Sequence, residues 1–123
     1  MSHNLGLKID SENRFDKFVK KIIETQLVWG LKSEDGWCVS PSNEFEETDV
    51  MPFWSERALA KQCAIEEWVH YSPHTIPLDD FANTWIPGLD NDNLLIGTNW
   101  NAHLLGKEIE PLELLACLVQ KEL

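Results

Sequence analysis

Two tryptophans, Trp54 and Trp100, stand beside short polar side chains: Ser55 follows the first, and Asn99 and Asn101 flank the second. Asp49 precedes the apolar run that leads into Trp54. An indole supplies contact area, and amides, hydroxyls and carboxylates around it supply direction, which suits recognition of a peptide or a sugar. Asp49, Trp54, Ser55, Asn99, Trp100 and Asn101 are therefore the candidate binding residues. The commoner employment of the same residue types is structural: Ser55 as a helix cap, the asparagines as turn formers, the indoles as core.

Other chemistries find less in the chain. Glu66, Glu67 and His70 have the three- and four-residue spacing that brings side chains together on a helix. A Glu-x-x-His pair of this kind serves di-metal bundles only with a second copy and two further glutamates, and no second copy is present. Cys38, Cys63 and Cys117 are far apart and sit among apolar residues, which predicts small buried hydrophobes rather than ligands or nucleophiles. There is no Gly-x-Ser-x-Gly elbow and no glycine-rich phosphate loop. The expectation is no catalytic residue, no metal and no cofactor, with the balance against an enzyme.

These residues must be positioned by one domain of 123 residues. Ten basic against 21 acidic side chains leave a net charge of −11, which argues against nucleic acid and anionic membrane as partners. No run of 18 apolar residues and no apolar N-terminal stretch of signal-peptide length occurs, so a cytoplasmic protein is expected. Residues 1–10 read as a flexible arm. From Glu12 a helix buries Phe15, Phe18, Val19, Ile22 and Ile23 on one stripe and wets its lysines on the other.

A hairpin is expected next, with Leu27, Trp29 and Leu31 on one face, a turn ending in Asp35-Gly36, and Trp37 opposite in direction to Cys38. Val50 to Trp54 reads as a short strand that lies at an edge or ends at Pro52, because Pro52 lacks an N–H. Ser55 would cap a helix running to His70, and Ser72-Pro73 would break it. A further helix starts at Pro77 and is expected to stop at Pro87-Gly88, and Leu94 to Thr98 reads as a central strand. Pro111 opens a last helix, with Leu112, Leu115, Ala116, Leu118 and Val119 expected inward. The order is α-ββ-β-α-α-β-α. It predicts an α+β fold: one two-layer domain, mainly an antiparallel sheet of about four strands, with helices packed on it.

Several stretches resemble one family of small bacterial proteins. They are Val28-Trp29-Gly30-Leu31, Pro41-Ser42-Asn43-Glu44 ahead of Val50-Met51-Pro52-Phe53-Trp54-Ser55, Glu66-Glu67-Trp68 with Tyr71, Ile76-Pro77-Leu78 through Trp85, Gly97-Thr98-Asn99-Trp100, and Glu110-Pro111-Leu112-Glu113. The family is grouped as domain of unknown function 2750, and the resemblance covers roughly residues 12 to 120. It implies a stand-alone bacterial intracellular protein and defines no functional residue.

With six tryptophans and a strong acidic surplus, the leading expectation is a protein-interaction or regulatory module with an aromatic patch and an acidic rim. The alternative is a small hydrolase or small-ligand-binding domain with its site around Trp54, Ser55, Asn99 and Trp100. The partner expected is another protein, the chain itself being a monomer or a weak homodimer.

Overall fold

The computed structural model describes residues 2–122, with side chains placed for residues 9–121. Helix α1 runs Ser2–Thr25, so it begins well before the start expected near Glu12, and the segment read as an arm lies in the same helix. Phe15, Phe18, Val19 and Ile22 are buried along it, and Ile23 is half-buried. Then come strands β1 (Leu27–Ser33), β2 (Gly36–Trp37), β3 (Ser40–Pro41) and β4 (Asp49–Phe53). Helix α2 (Arg57–Gln62) and a 3-10 turn (Glu66–Trp68) precede β5 (Ser72–Pro77). Helix α3 (Leu78–Asp80), a π turn (Phe81–Trp85) and helix α4 (Ile86–Asn91) form one continuous helical run. Strands β6 (Leu95–Thr98) and β7 (Lys107–Ile109) and helix α5 (Pro111–Glu122) complete the order.

The α+β class holds, but the strands divide into two sheets rather than one. One has the order β2-β1-β5 and is antiparallel; the other has the order β3-β4-β6-β7. In the second sheet, β4 and β6 are parallel and the other pairs antiparallel. The sheets meet where Trp29 and Trp54 exchange two backbone hydrogen bonds, each 2.8 Å. Both faces of β1 are covered. Val28 joins the main core with Phe53, Phe81, Ile96 and Leu114, while Leu31 joins Cys38, Trp54, Cys63 and Trp68 in a second cluster. Alternation along β1 therefore holds as expected, and Trp37 and Cys38 do face opposite clusters.

Further expectations are corrected. Pro52 lies in an internal strand, paired to Gly97 of β6. It is tolerated because β3 has already ended opposite Val50. Phe53 turns its carbonyl to β6, where Asn99 donates to it at 2.9 Å, and alternation then points the Pro52 nitrogen to the vacated side. The helix after Ser55 stops at Gln62 instead of reaching His70, and the supposed break at Ser72-Pro73 is the start of edge strand β5. Pro87 does not stop its helix: the π turn immediately before it loosens the turn whose carbonyl the ring would strike. On α5 the inward residues are Leu114 and Leu118, with Leu115 half-buried against the same core as expected, while Leu112 and Val119 are exposed and so is Ala116.

Three glycines make room for indoles. A Cβ at Gly97 would lie 2.5 Å from the buried Trp100 ring, one at Gly106 equally close to it, and one at Gly30 2.8 Å from the Trp37 ring. Gly97→Ala is expected to cost about 1–3 kcal/mol by overpacking. Gly88→Ala, where a Cβ meets open space, should stabilise by up to about 1 kcal/mol. Urea denaturation of the two variants beside the wild type checks both signs.

Candidate functional site

Five of the six candidate residues come together at the junction of the two sheets, and Asp49 does not. Asp49 opens β4 at its far end, exposed and opposite Pro41. Trp54, Ser55, Asn99 and Trp100 are each at most 2% exposed, and Asn101 is half-buried. The cluster lies in the interior and forms no open groove.

Its polar atoms are turned on one another. The Trp54 indole N–H donates to the Trp100 carbonyl at 3.0 Å, and the Trp100 indole N–H donates to the Lys107 carbonyl at 3.2 Å. Asn99 reads both neighbours: its Oδ1 accepts from the Ser55 N–H at 2.8 Å, and its Nδ2 donates to Ser55 Oγ at 3.0 Å. The same Nδ2 also reaches the Arg14 carbonyl at 3.4 Å, and Arg14 returns a bond to the Asn99 carbonyl at 3.3 Å, which docks α1 on this corner. Asn99 takes φ 47°, a left-handed conformation that asparagine tolerates better than most residues. Asn101 organises the following loop, its Oδ1 accepting from the N–H groups of His103 and Leu105. Ser55 is not a helix cap: the cap position of α2 is Glu56, whose side chain makes no cap bond. Among the described residues, Thr98 Oγ1 is the buried side-chain polar atom left without a partner.

Two thiols line this interior. Cys63 Sγ–H donates to the carbonyls of Trp100 and Asn101, at 3.4 and 3.2 Å. It closes the C-terminus of α2 rather than sitting mid-helix. Burial pushes the Cys38 thiol up to about 12 and the Cys63 thiol to about 11, against an ordinary value of 9.0. Neither offers a thiolate near neutrality. Cys117 is half-buried on α5. Glu66, Glu67 and His70 do not share a helix face, because the 3-10 turn ends at Trp68. Glu67 and His70 instead border a hollow of about 570 Å³ with Ser33, Glu34, Asp35 and Tyr71. Among the described residues no group of three His, Cys, Asp or Glu side chains is placed to hold a metal ion, and no helix is long and apolar enough to cross a membrane.

The indoles that stay in contact with water are others: Trp29, Trp37 and Trp85 are half-buried. Trp37 and Trp85 meet edge to face, with ring centroids 4.8 Å apart, and Trp85 also stands edge-on to Phe53 at 6.0 Å. Gly30 is the floor beneath Trp37, and the π turn carries Trp85 toward it. Lys32 holds its ammonium 5.3 Å from the centroid of the Trp37 ring, and His74 lies 6.2 Å away. Met51 and Leu94 extend the half-buried apolar strip around the main core. The sequence does not show this pairing, because Trp37 and Trp85 lie 48 positions apart and the contact between them is tertiary. The one available signal was Gly30, a small residue in a strand otherwise made of large ones.

Asn99→Ala should cost about 2–4 kcal/mol. It leaves the buried Ser55 N–H unpaired and puts alanine in a left-handed conformation. Loss of the thermal transition midpoint, with the far-UV spectrum retained at low temperature, is the expected reading. The two raised thiols favour the protonated form in the fold. Their contribution to stability is complete below pH 9.0 and is lost as pH rises through about 11 and 12. Native iodoacetamide labelling at neutral pH should therefore leave Cys38 and Cys63 unmodified while unfolded chain reacts at all three cysteines. Mass spectrometry of the peptides reads the difference.

Residues 15–118 match the model of the family described as protein of unknown function (DUF2750). Comparison with curated proteins and with solved structures gives no match to this chain. The matched span takes in both sheets, the buried Trp54–Asn99–Trp100 junction and the Trp37–Trp85 pair, and the chain belongs to the DUF2750 family.

Proposed function

We propose that this chain is a protein-interaction or regulatory module of the cytoplasm, and that its contact surface is the aromatic patch around Trp37 and Trp85. The observation that carries this reading is the fate of the indoles. Trp54, Trp68 and Trp100 are at most 8% exposed, whereas Trp37 and Trp85 sit side by side, half-buried at the edge of the main core. Half-exposed tryptophans rimmed by polar groups are the residues that dominate protein–protein contacts.

The rim is acidic. Glu34 and Asp35 form the hairpin turn that leads into Trp37, Asp92 follows α4, and Asp49 stands two residues before Met51 on the same face of β4. A net charge of −11 raises the encounter rate with a basic partner and slows it with an acidic one. Three free cysteines suit a reducing compartment.

Immobilised wild-type chain is expected to retain a specific protein from a lysate of the source cells. Trp85→Ala should weaken that capture by about tenfold or more. Val119→Ser, on the exposed side of α5 outside the patch, should not. Identical sets of captured proteins for wild type and Trp85→Ala overturn the proposal.

A further inference from the structure

We infer that the hollow beside Trp85 is a socket for one arginine side chain of a protein partner; this rests on the reading of the Trp37–Trp85 patch as a contact surface. The hollow has a volume of about 250 Å³. That is the share of roughly eight water molecules in the liquid. Trp85 forms one wall, Met51, Leu89 and Leu94 supply apolar lining, Gly88 leaves the helix side open, and Asp92 places a carboxylate at the edge. No lysine, arginine or histidine lines it.

Each part matches a part of arginine. The apolar lining takes the methylene stem, the indole takes the guanidinium plane, and the carboxylate takes its charge and its paired N–H donors. The protein already uses the same chemistry next door, where Lys32 covers Trp37 at 5.3 Å. Among the described residues the cations over aromatic rings are Lys32 on Trp37 and Lys107 on Phe15, so the Trp85 indole carries none. Asp92 makes no ion pair among the described residues either.

Gly88 is the independent sign. Gly30, Gly97 and Gly106 each lie against an indole that a Cβ would strike, and Gly36 has φ 117°. Gly88 has neither reason. It sits inside α4 at an ordinary φ, a Cβ there meets nothing within 4 Å, and a glycine at a helical position costs about 1 kcal/mol relative to alanine. What the missing side chain leaves open is the hollow itself.

The test uses the full chain, labelled with ¹⁵N, and the blocked peptide acetyl-Ala-Ala-Arg-Ala-Ala-amide. Matched peptides carry citrulline, leucine or glutamate in place of arginine. The arginine peptide is expected to shift the Trp85 indole N–H and the Gly88 amide saturably. The citrulline peptide, which keeps the shape and loses the charge, should bind about tenfold more weakly, a difference of about 1.4 kcal/mol. Asp92→Asn should weaken arginine binding by about three- to tenfold. Gly88→Leu fills the hollow and should abolish the shifts while raising the thermal midpoint, so loss of binding and loss of fold are told apart. Equal binding of the leucine or citrulline peptide, unchanged binding by Gly88→Leu, or no shift up to about 20 mM peptide overturns the socket. If those results come while protein capture still depends on Trp85, the arginine assignment falls and the patch stands; if capture is also independent of Trp85, both fall.

Discussion

The backbone exchange between Trp29 and Trp54 is the constraint on which the rest of the structure depends. Two 2.8 Å hydrogen bonds join the antiparallel sheet to the mixed one at a single pair of residues. Directly beyond that pair the chain leaves β4, and the buried groups there cannot reach water. They must satisfy each other, because an unpaired buried polar group costs as much as several good contacts return. Asn99 does most of this. Its one amide supplies the acceptor for Ser55 N–H and the donor for Ser55 Oγ, and its backbone joins Phe53 and Arg14. The residues that look like a binding groove in the sequence are thus the polar seam that lets two sheets share an interior.

Indole burial follows from glycine placement. Trp100 lies flat in the fold because both Gly97 and Gly106 lack a Cβ where its ring passes, and its N–H finds the Lys107 carbonyl across β7. Trp37 uses Gly30 in the same way, but its other side faces Trp85 instead of a closed core. The same device, a ring over a glycine, produces one interior indole and one half-exposed indole. The difference lies in what covers the far side of the ring: β7 and the 99–106 loop in the first case, the half-buried Trp85 in the second. Trp37 is therefore supported from below by the Gly30 backbone and flanked by Trp85, and both rings stay half-buried.

Among the described residues, the ion pairs join Asp10 to Arg14, Glu12 to Lys107, and Lys21 to Glu24 and Glu56, all with at least one exposed partner. Such pairs contribute little to stability. Of the exposed acidic residues, Asp92 borders the hollow beside Trp85, while Glu34 and Asp35 border the one beside Tyr71. One acidic loop is not loosely solvated: Ser42 and Asn43 both donate to the Glu108 carboxylate, which pins the start of the 42–48 connection to β7.

Local patterns in the amino-acid order were enough for the elements whose reasons are local. The α1 stripe, the Asp35-Gly36 hairpin, the apolar run of β6, the opening of α5 at Pro111 and the α+β class all rest on residues a few positions apart. Tertiary structure decided what depends on distant partners. β5 could not be read because two prolines and a single buried residue, Ile76, mark an edge strand that exists only through its pairing with β1. The parallel pairing of β4 with β6 joins segments more than forty positions apart, and the end of β3 opposite Val50 is what lets Pro52 stand inside a sheet. On α5 nearly every position from 112 to 119 is apolar, so periodicity cannot choose a face and packing against α1 and α4 does. The tryptophans show the same division. Their number dictated a strong aromatic core, but which indole is sealed and which meets water is set by the atoms on the far side of each ring, and those come from elsewhere in the chain.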